Sequence, residues 1–299
     1  MKGAFTFVLH SHLPYVRKAG RWPHGEEMVH EAIAETYVPL LNALFELKAD
    51  GCQPHLTIGL TPILLEQISD PAVLDHFELY VLERLTLAET DLARHEKNGD
   101  KQLQSLARFY LDWYTSILQS FRERYGRNLV AAFRKLQDEG NVDIITSAAT
   151  HGYLPLMERS STVHAQLKVG IETYRRHLGR APRGIWLPEC GYRPAFVQDG
   201  WYKSGIEEFL AELNLGYFFT DTQVIAGGQL VGKVAGDVIG PYGNLPKRKY
   251  VVRVMSGRRP RSALPCGPTT YRRPTWPCTG EMNAPGCRSG PRHTATRAT

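Results

Sequence analysis

An α/β fold, with parallel strands alternating with helices around one functional edge, is what this sequence predicts. Three observations predict it. Short apolar runs recur between residues 3 and 220, separated by stretches of helical periodicity. Polar residues of catalytic type (His10 and His12, Thr61, His151, Glu189, Asp221) fall at the same end of successive runs. Two long helical patterns, 72–96 and 101–139, stand between the second and third runs as a helical insertion of about 72–139. A barrel with one mouth accounts for polar residues in register better than scattered buried polar groups would.

The elements follow in order. Residues 3–9 read as a first strand, ending in His10-Ser11-His12-Leu13-Pro14-Tyr15. A polar loop with Trp22-Pro23-His24-Gly25-Glu26-Glu27 follows it. From Met28 to Leu47 apolar residues recur at helical spacing, and Gly51 stops the helix. His55 to Leu60 is the second strand, closed by Thr61-Pro62. After the insertion, whose two helices meet at Asn98-Gly99-Asp100, Val142 to Thr146 forms a third strand that ends near His151-Gly152-Tyr153. A helix over about 163–178 leads to Gly184-Ile185-Trp186-Leu187, an apolar run that reads as a buried parallel strand. Pro188 removes the ladder donor there, so Glu189 sits just past the carboxyl end of a strand. The bland alternative makes Glu189 a cap for a next helix, expected over about 194–213. Leu215 to Thr220 is the fifth strand, and Asp221 follows it.

Composition bounds the function classes. With 299 residues, 42% hydrophobic and 22% charged, the chain can bury a sizeable core as one barrel or two domains. No apolar run approaches the roughly 20 residues of a membrane span, and the amino terminus is too short of apolar residues for a secretory signal. The sequence therefore reads as cytoplasmic, with no membrane partner.

The net charge of +6 is concentrated in the tail. Of 36 basic and 30 acidic residues, nine and one lie in 253–299, so the remainder carries 27 and 29. A nucleic-acid partner is thus not indicated for the body. From Arg253 onward there are seven Pro, no Ile, Phe, Lys, Asp or Gln, and no periodicity. Such a tail reads either as a disordered basic arm or as out-of-frame translation of a high-GC coding sequence, shifted near 250–256. The composition favours the second. Cys266, Cys278 and Cys287 match no zinc ribbon or finger, and Cys52 and Cys190 read as small buried thiols rather than disulfide partners.

Two chemistries compete at the strand ends. His10 and His12, two apart on a strand, point the same way and can share a metal, with His151 or Asp221 as a further ligand, as in a metal-dependent deacetylase. Against this, Tyr15, Trp22, Tyr153 and Tyr192 give the mouth aromatic faces. These suit sugar rings, whose hydroxyls bond to imidazole and carboxylate. Trp186, inside its strand, reads as core.

At this point the sequence resembles glycoside hydrolase family 57. The residues that carry the resemblance are His10-Ser11-His12-Leu13-Pro14-Tyr15, Gly59-Leu60-Thr61-Pro62, Thr150-His151-Gly152-Tyr153 and Trp186-Leu187-Pro188-Glu189-Cys190-Gly191-Tyr192. Trp22-Pro23-x-Gly25-Glu26-Glu27 and the helical insertion make it most similar to that family's 1,4-α-glucan branching enzymes. The resemblance covers roughly residues 1–250.

It implies an incomplete (β/α)7 barrel, an α-1,4-glucan substrate, no metal and no cofactor. Glu189 would be the nucleophile of a retaining mechanism. His10, His12 and His151 would bind the sugar at the cleavage point, Trp22 would stack on the glucan, and Tyr192 and Asp221 would contact substrate. Tyr242 would sit on a loop over the cleft. A retaining enzyme needs a second carboxyl as acid/base. The family's Asp for that role belongs to a motif that residues 1–299 do not contain. The expectation is therefore the amino-terminal portion of such an enzyme, whose alternatives are an α-amylase or 4-α-glucanotransferase of the same family, a deacetylase, or an inactive glucan-binding remnant.

Overall fold

The computed structural model describes residues 5–21, 25–198, 200–221, 224, 239–240 and 243–244. Trp22, Tyr242 and the tail 253–299 lie outside them. The chain divides into two units, Met1–Phe219 and Thr220–Thr299. Within the second, Ile239–Gly240 pairs antiparallel with Gly243–Asn244.

In the first unit β1 (Val8–Ser11) leads through a loop to α1 (Glu27–Ala32). A π-helical turn, Ile33–Tyr37, joins α1 to α2 (Val38–Ala49). Pro39 has no N–H to return to the preceding turn, and the ladder loosens just before it. Next come β2 (Leu56–Leu60), a short α3 (Pro62–Gln67) that the periodicity does not announce, and α4 (Pro71–Asn98). Asp70 caps α4 by accepting from the N–H groups of Ala72 and Val73, and Gly99 ends it at φ 71°. Asp100 at once caps α5 (Lys101–Gln119) through Leu103 N–H. The two long helices thus fold back on each other across a two-residue turn.

The helical pattern expected over 101–139 is two helices, not one. Gly126 and Arg127 turn the chain at φ 54° and 61°, and Asn128 caps α6 (Leu129–Asp138). β3 (Val142–Ile145), α7 (Ser160–Leu178) and β4 (Gly184–Trp186) follow. The helix expected over about 194–213 is also divided. Its first half is a hairpin of β5 (Phe196–Gln198) and β6 (Trp201–Lys203), and only α8 (Ile206–Glu212) is helical. In the sequence, an Asp-Gly pair flanked by aromatic and β-branched residues is a hairpin signal. β7 (Tyr217–Phe219) closes the unit.

β1, β2 and β3 pair in parallel, as do β4 and β7. Thr146 joins the two sets: its N–H donates to Gly184 O (3.2 Å) and its carbonyl accepts from Trp186 N–H (2.9 Å). The parallel order is therefore β1-β2-β3-β4-β7. β1 and β4 are three steps apart, about 14 Å across a flat sheet. Yet the rings of His10 and Trp186 stack at 4.6 Å. The sheet is curled, with these side chains on its concave face.

Two apolar clusters hold it. Ile33, Leu41, Phe77, Phe121 and Phe133 meet Ile58 and Ile144 of the sheet between the first helices. Val163, Leu167 and Ile171 of α7 meet Ile185, Leu187, Ile206 and Leu210. Burying each such side chain stabilises by about 1.5–3 kcal/mol. The buried Tyr174 hydroxyl lies between Gln137 Oε1 (2.5 Å) and the Ile144 carbonyl (2.8 Å), so α6, α7 and β3 share one satisfied polar contact.

Candidate active site

The site begins with backbone geometry at the carboxyl ends of the strands. After β4, Pro188-Glu189-Cys190 forms a single 3-10 turn in which Glu189 lies at φ 51°, ψ 30° and Cys190 at φ 54°. Bonds from Cys190 N–H to Leu187 O (2.8 Å) and from Gly191 N–H to Pro188 O (3.0 Å) fix this elbow. Gly191 is required here, because a Cβ would stand 2.3 Å from the Tyr153 ring. The Glu189 carboxylate consequently projects from the strand end with 72% of its side chain exposed. It does not cap a helix; the bland alternative fails because the hairpin β5–β6 follows instead.

His151 faces it from the loop after β3. Its backbone is also left-handed, at φ 56°, and its side chain is 4% exposed. His151 Nδ1 lies 3.8 Å from Glu189 Oε1, and His151 Nε2 lies 3.2 Å from His10 Nε2. His12 stacks on His151 at 3.8 Å between ring centroids, 12° from parallel, and its Nδ1 is 3.4 Å from Thr61 Oγ1. Trp186 is sandwiched between His10 (4.6 Å, 12°) and Phe219 (5.6 Å, 26°). That places Trp186 in the site wall and corrects its reading as core.

One tautomeric arrangement fits the His10–His151 contact. With a proton on His151 Nδ1 toward the carboxylate, His151 Nε2 accepts from His10 Nε2–H. His10 Nδ1 is then a bare lone pair, buried and unpartnered beside Gly59. An orphaned acceptor is more easily tolerated there than an orphaned N–H. Gly59, opposite His10 in the β1–β2 register, makes the room: a Cβ would lie 3.0 Å from that nitrogen.

Electrostatics keep the cluster neutral. Burial, reinforced by His12, holds His10 down at about 4; burial, with His12 and His10 beside it, does the same to His151. His12 is also lowered by burial, against the opposing pull of the Glu189 carboxylate. Neutral imidazoles each offer one donor and one acceptor, the pair a sugar hydroxyl matches. His12 turns its ring face rather than a nitrogen toward His151, and no three His, Cys, Asp or Glu side chains among the described residues converge as a metal site.

Of the other expected site residues, Tyr192 stacks on Phe218 (5.6 Å, 11°) near the elbow, and Asp221 falls in the second unit, two residues past β7. Trp22 and Tyr242 lie outside the described residues. The signal that would have found Trp186 is its register position beside Phe219, which only strand pairing reveals.

Comparison with known proteins bears on this geometry. The 1,4-alpha-glucan branching enzyme TK1436 of Thermococcus kodakarensis is 43% identical over 244 residues, covering 80% of this chain and 35% of that protein. A probable 1,4-alpha-glucan branching enzyme of Mycobacterium tuberculosis is 29% identical over 282 residues, 90% of this chain and 50% of its own. The chain thus spans a third to a half of these relatives' length.

Among solved structures, the GH57-type branching enzyme of Pyrococcus horikoshii matches at TM-score 0.69 and 46% identity, over 73% of this chain and 42% of its own. The alpha-amylase AmyC of Thermotoga maritima matches at 0.65 and 33%, over 81% and 45%. The family model described as Glycosyl hydrolase family 57 matches residues 6–255, from before β1 to the point where the composition changes. This chain belongs to glycosyl hydrolase family 57.

Proposed function

We propose that residues 1–250 form part of a (β/α)7-type barrel and carry the nucleophile half of an α-glucan-active retaining glycoside hydrolase or transglycosylase of the cytoplasm. A 1,4-α-glucan branching enzyme fits best. One observation carries the reading: an exposed Glu189 carboxylate on a left-handed elbow, 3.8 Å from a buried, neutral His151. An exposed carboxylate held out from the strand end has the reach of a nucleophile, while the imidazoles hold sugar hydroxyls without adding charge. Similarity supports branching over hydrolysis, since the two archaeal branching enzymes of known structure match at 40–46% identity and the amylase of known structure at 33%.

In this reading Glu189 attacks the anomeric carbon of an α-1,4 link. The C1–O bond breaks, the leaving 4-oxygen takes a proton, and a glycosyl ester forms. A 6-hydroxyl of an acceptor then displaces Glu189. His10, His12 and His151 bind the sugar being transferred, Trp22 stacks on the glucan, and Tyr192, Asp221 and Tyr242 complete its contacts. The acid/base carboxyl belongs to a motif that residues 1–299 do not contain, so hydrolysis of natural glucan by this chain alone should be slower by about 10²–10⁴-fold or more.

The test bypasses that missing proton. In α-glucosyl fluoride the leaving group departs as fluoride ion without acid help. The chain should release fluoride as the Glu189–C1 ester forms, and mass spectrometry should find one glucosyl unit on the peptide holding Glu189. Glu189→Gln should abolish labelling and slow release by at least about 10³-fold. Undiminished release in that variant, or a label on another residue, defeats the assignment.

A further inference from the structure

The loop between β1 and α1 begins at His12 and leads to Trp22, and it is held from outside by one buried amide that the chemistry above does not use. Gln67, the last residue of α3, is fully buried. Its Oε1 accepts from Val16 N–H at 2.8 Å, and its Nε2 donates to the Pro14 carbonyl at 3.0 Å. Both side-chain groups are thereby spent on loop backbone two and four residues beyond His12.

At the other end of the same helix, Thr61 lies 3.4 Å from His12 Nδ1, and its N–H donates to Ser11 O at 3.2 Å. One short helix therefore touches the chain on both sides of His12. The next anchors continue from α4 and its cap. Arg17 pairs with Asp70 at 2.5 Å, and Arg21 pairs with Glu83. Glu26 accepts from Lys18 N–H at 2.8 Å and meets His76 at 2.5 Å.

We propose that Gln67 is a positioning residue: it fixes the backbone beyond His12, and so sets that imidazole between Thr61 and His151 and aligns the loop for glucan. The inference rests on the glucan reading for its kinetic consequence but not for its geometric one. A buried amide with both groups bonded cannot move without leaving a polar group unsatisfied, so the loop inherits the rigidity of α3.

Two substitutions test it in the full chain. Gln67→Met keeps the volume and removes both bonds. Gln67→Glu keeps the bond from Val16 N–H and replaces the donor to Pro14, which serves if the first variant fails to fold. The glucan-independent readout is the ring resonance of His12 by NMR, with exposed His55 as control. In folded variant protein His12 should shift and its titration should move toward the ordinary histidine value, while His55 stays put.

The kinetic readout is Glu189 labelling by α-glucosyl fluoride. Its half-saturation concentration should rise about tenfold, with a smaller change in limiting rate. In a His12→Ala background the same Gln67 substitution should add little, because it acts through His12. A His12 resonance that does not move in folded variant protein overturns the proposal. So does an effect on half-saturation that is equal in both backgrounds. If the unsubstituted chain forms no ester at all, the glucan reading fails on its own, and the NMR arm still decides the role of Gln67.

Discussion

Glu189 and Cys190 occupy the left-handed region in succession, at φ 51° and 54°, and neither is glycine. Each such residue costs about 1–2 kcal/mol, and strain of this kind persists only where the surroundings over-determine it. Here Pro188 before and Gly191 after supply the constraint, and the result is a carboxylate turned out of the strand. Cys190→Val should therefore destabilise the fold by about 1–2 kcal/mol, since a β-branched side chain tolerates φ > 0 worst, whereas Cys190→Gly should be neutral within about 1 kcal/mol. Chemical denaturation of the two variants checks this; equal stabilities would mean the elbow carries no strain. At this scale the sequence was informative about identity and poor about direction. His10, His12, His151 and Glu189 could be named from their positions at strand ends, and the structure brings all four together. Trp186 could not. A strand apolar on both faces shows no alternation, so nothing in Gly184-Ile185-Trp186-Leu187 tells which side chain looks into the mouth.

Elements were legible where periodicity was long and illegible where a few residues decided the backbone. The strands and the paired long helices follow from their patterns. The hairpin β5–β6 was hidden because eight residues, Phe196 to Lys203, fit a helical spacing as well as a strand one, and only Asp199-Gly200 favoured the turn. Helix α3 was hidden by its length, six residues, which is too short for a period to show. Packing between elements adds a constraint that no propensity scale contains. Gly170 lies inside α7, where Ala should be better by about 1 kcal/mol. A Cβ there would stand 2.3 Å from the Ser147 carbonyl oxygen, and Thr146 Oγ1 bonds the Gly170 carbonyl at 3.2 Å. Gly170→Ala should therefore push α7 off the end of β3 and destabilise by about 1–3 kcal/mol. Urea unfolding should show a lower midpoint with an unchanged slope; a gain in stability would show that helix propensity outweighs the contact.

Across the whole first unit the ionisation of buried histidines has one sign. His10, His30 and His151 are each held down at about 4, and His12 and His177 are lowered, in every case chiefly by burial. His30 belongs to α1, outside the histidine cluster, and is 3% exposed. None of this is readable from composition, because burial rather than residue type sets the shift. Each imidazole binds its proton more weakly folded than at the unfolded value of about 6.5, so unfolding takes up protons below that pH. The stability they allow is complete above about pH 6.5–7 and declines as pH falls toward about 4, by at most about 1.4 kcal/mol per pH unit for each group. Glu26, whose carboxyl is held low by Lys18 N–H and His76 against the opposing effect of burial, acts in the same direction at the acid end. Between pH 7 and 5 the three imidazoles held at about 4 should together cost on the order of 5 kcal/mol, which for a chain of this size lowers Tm by roughly 10–20 °C. Calorimetry across that range checks the loss, and His30→Gln should flatten the curve by removing one titrating group without touching the His10–His151 contact. A Tm independent of pH from 7 to 5 would mean these imidazoles titrate normally, and the neutral cluster on which hydroxyl binding depends would have to be abandoned.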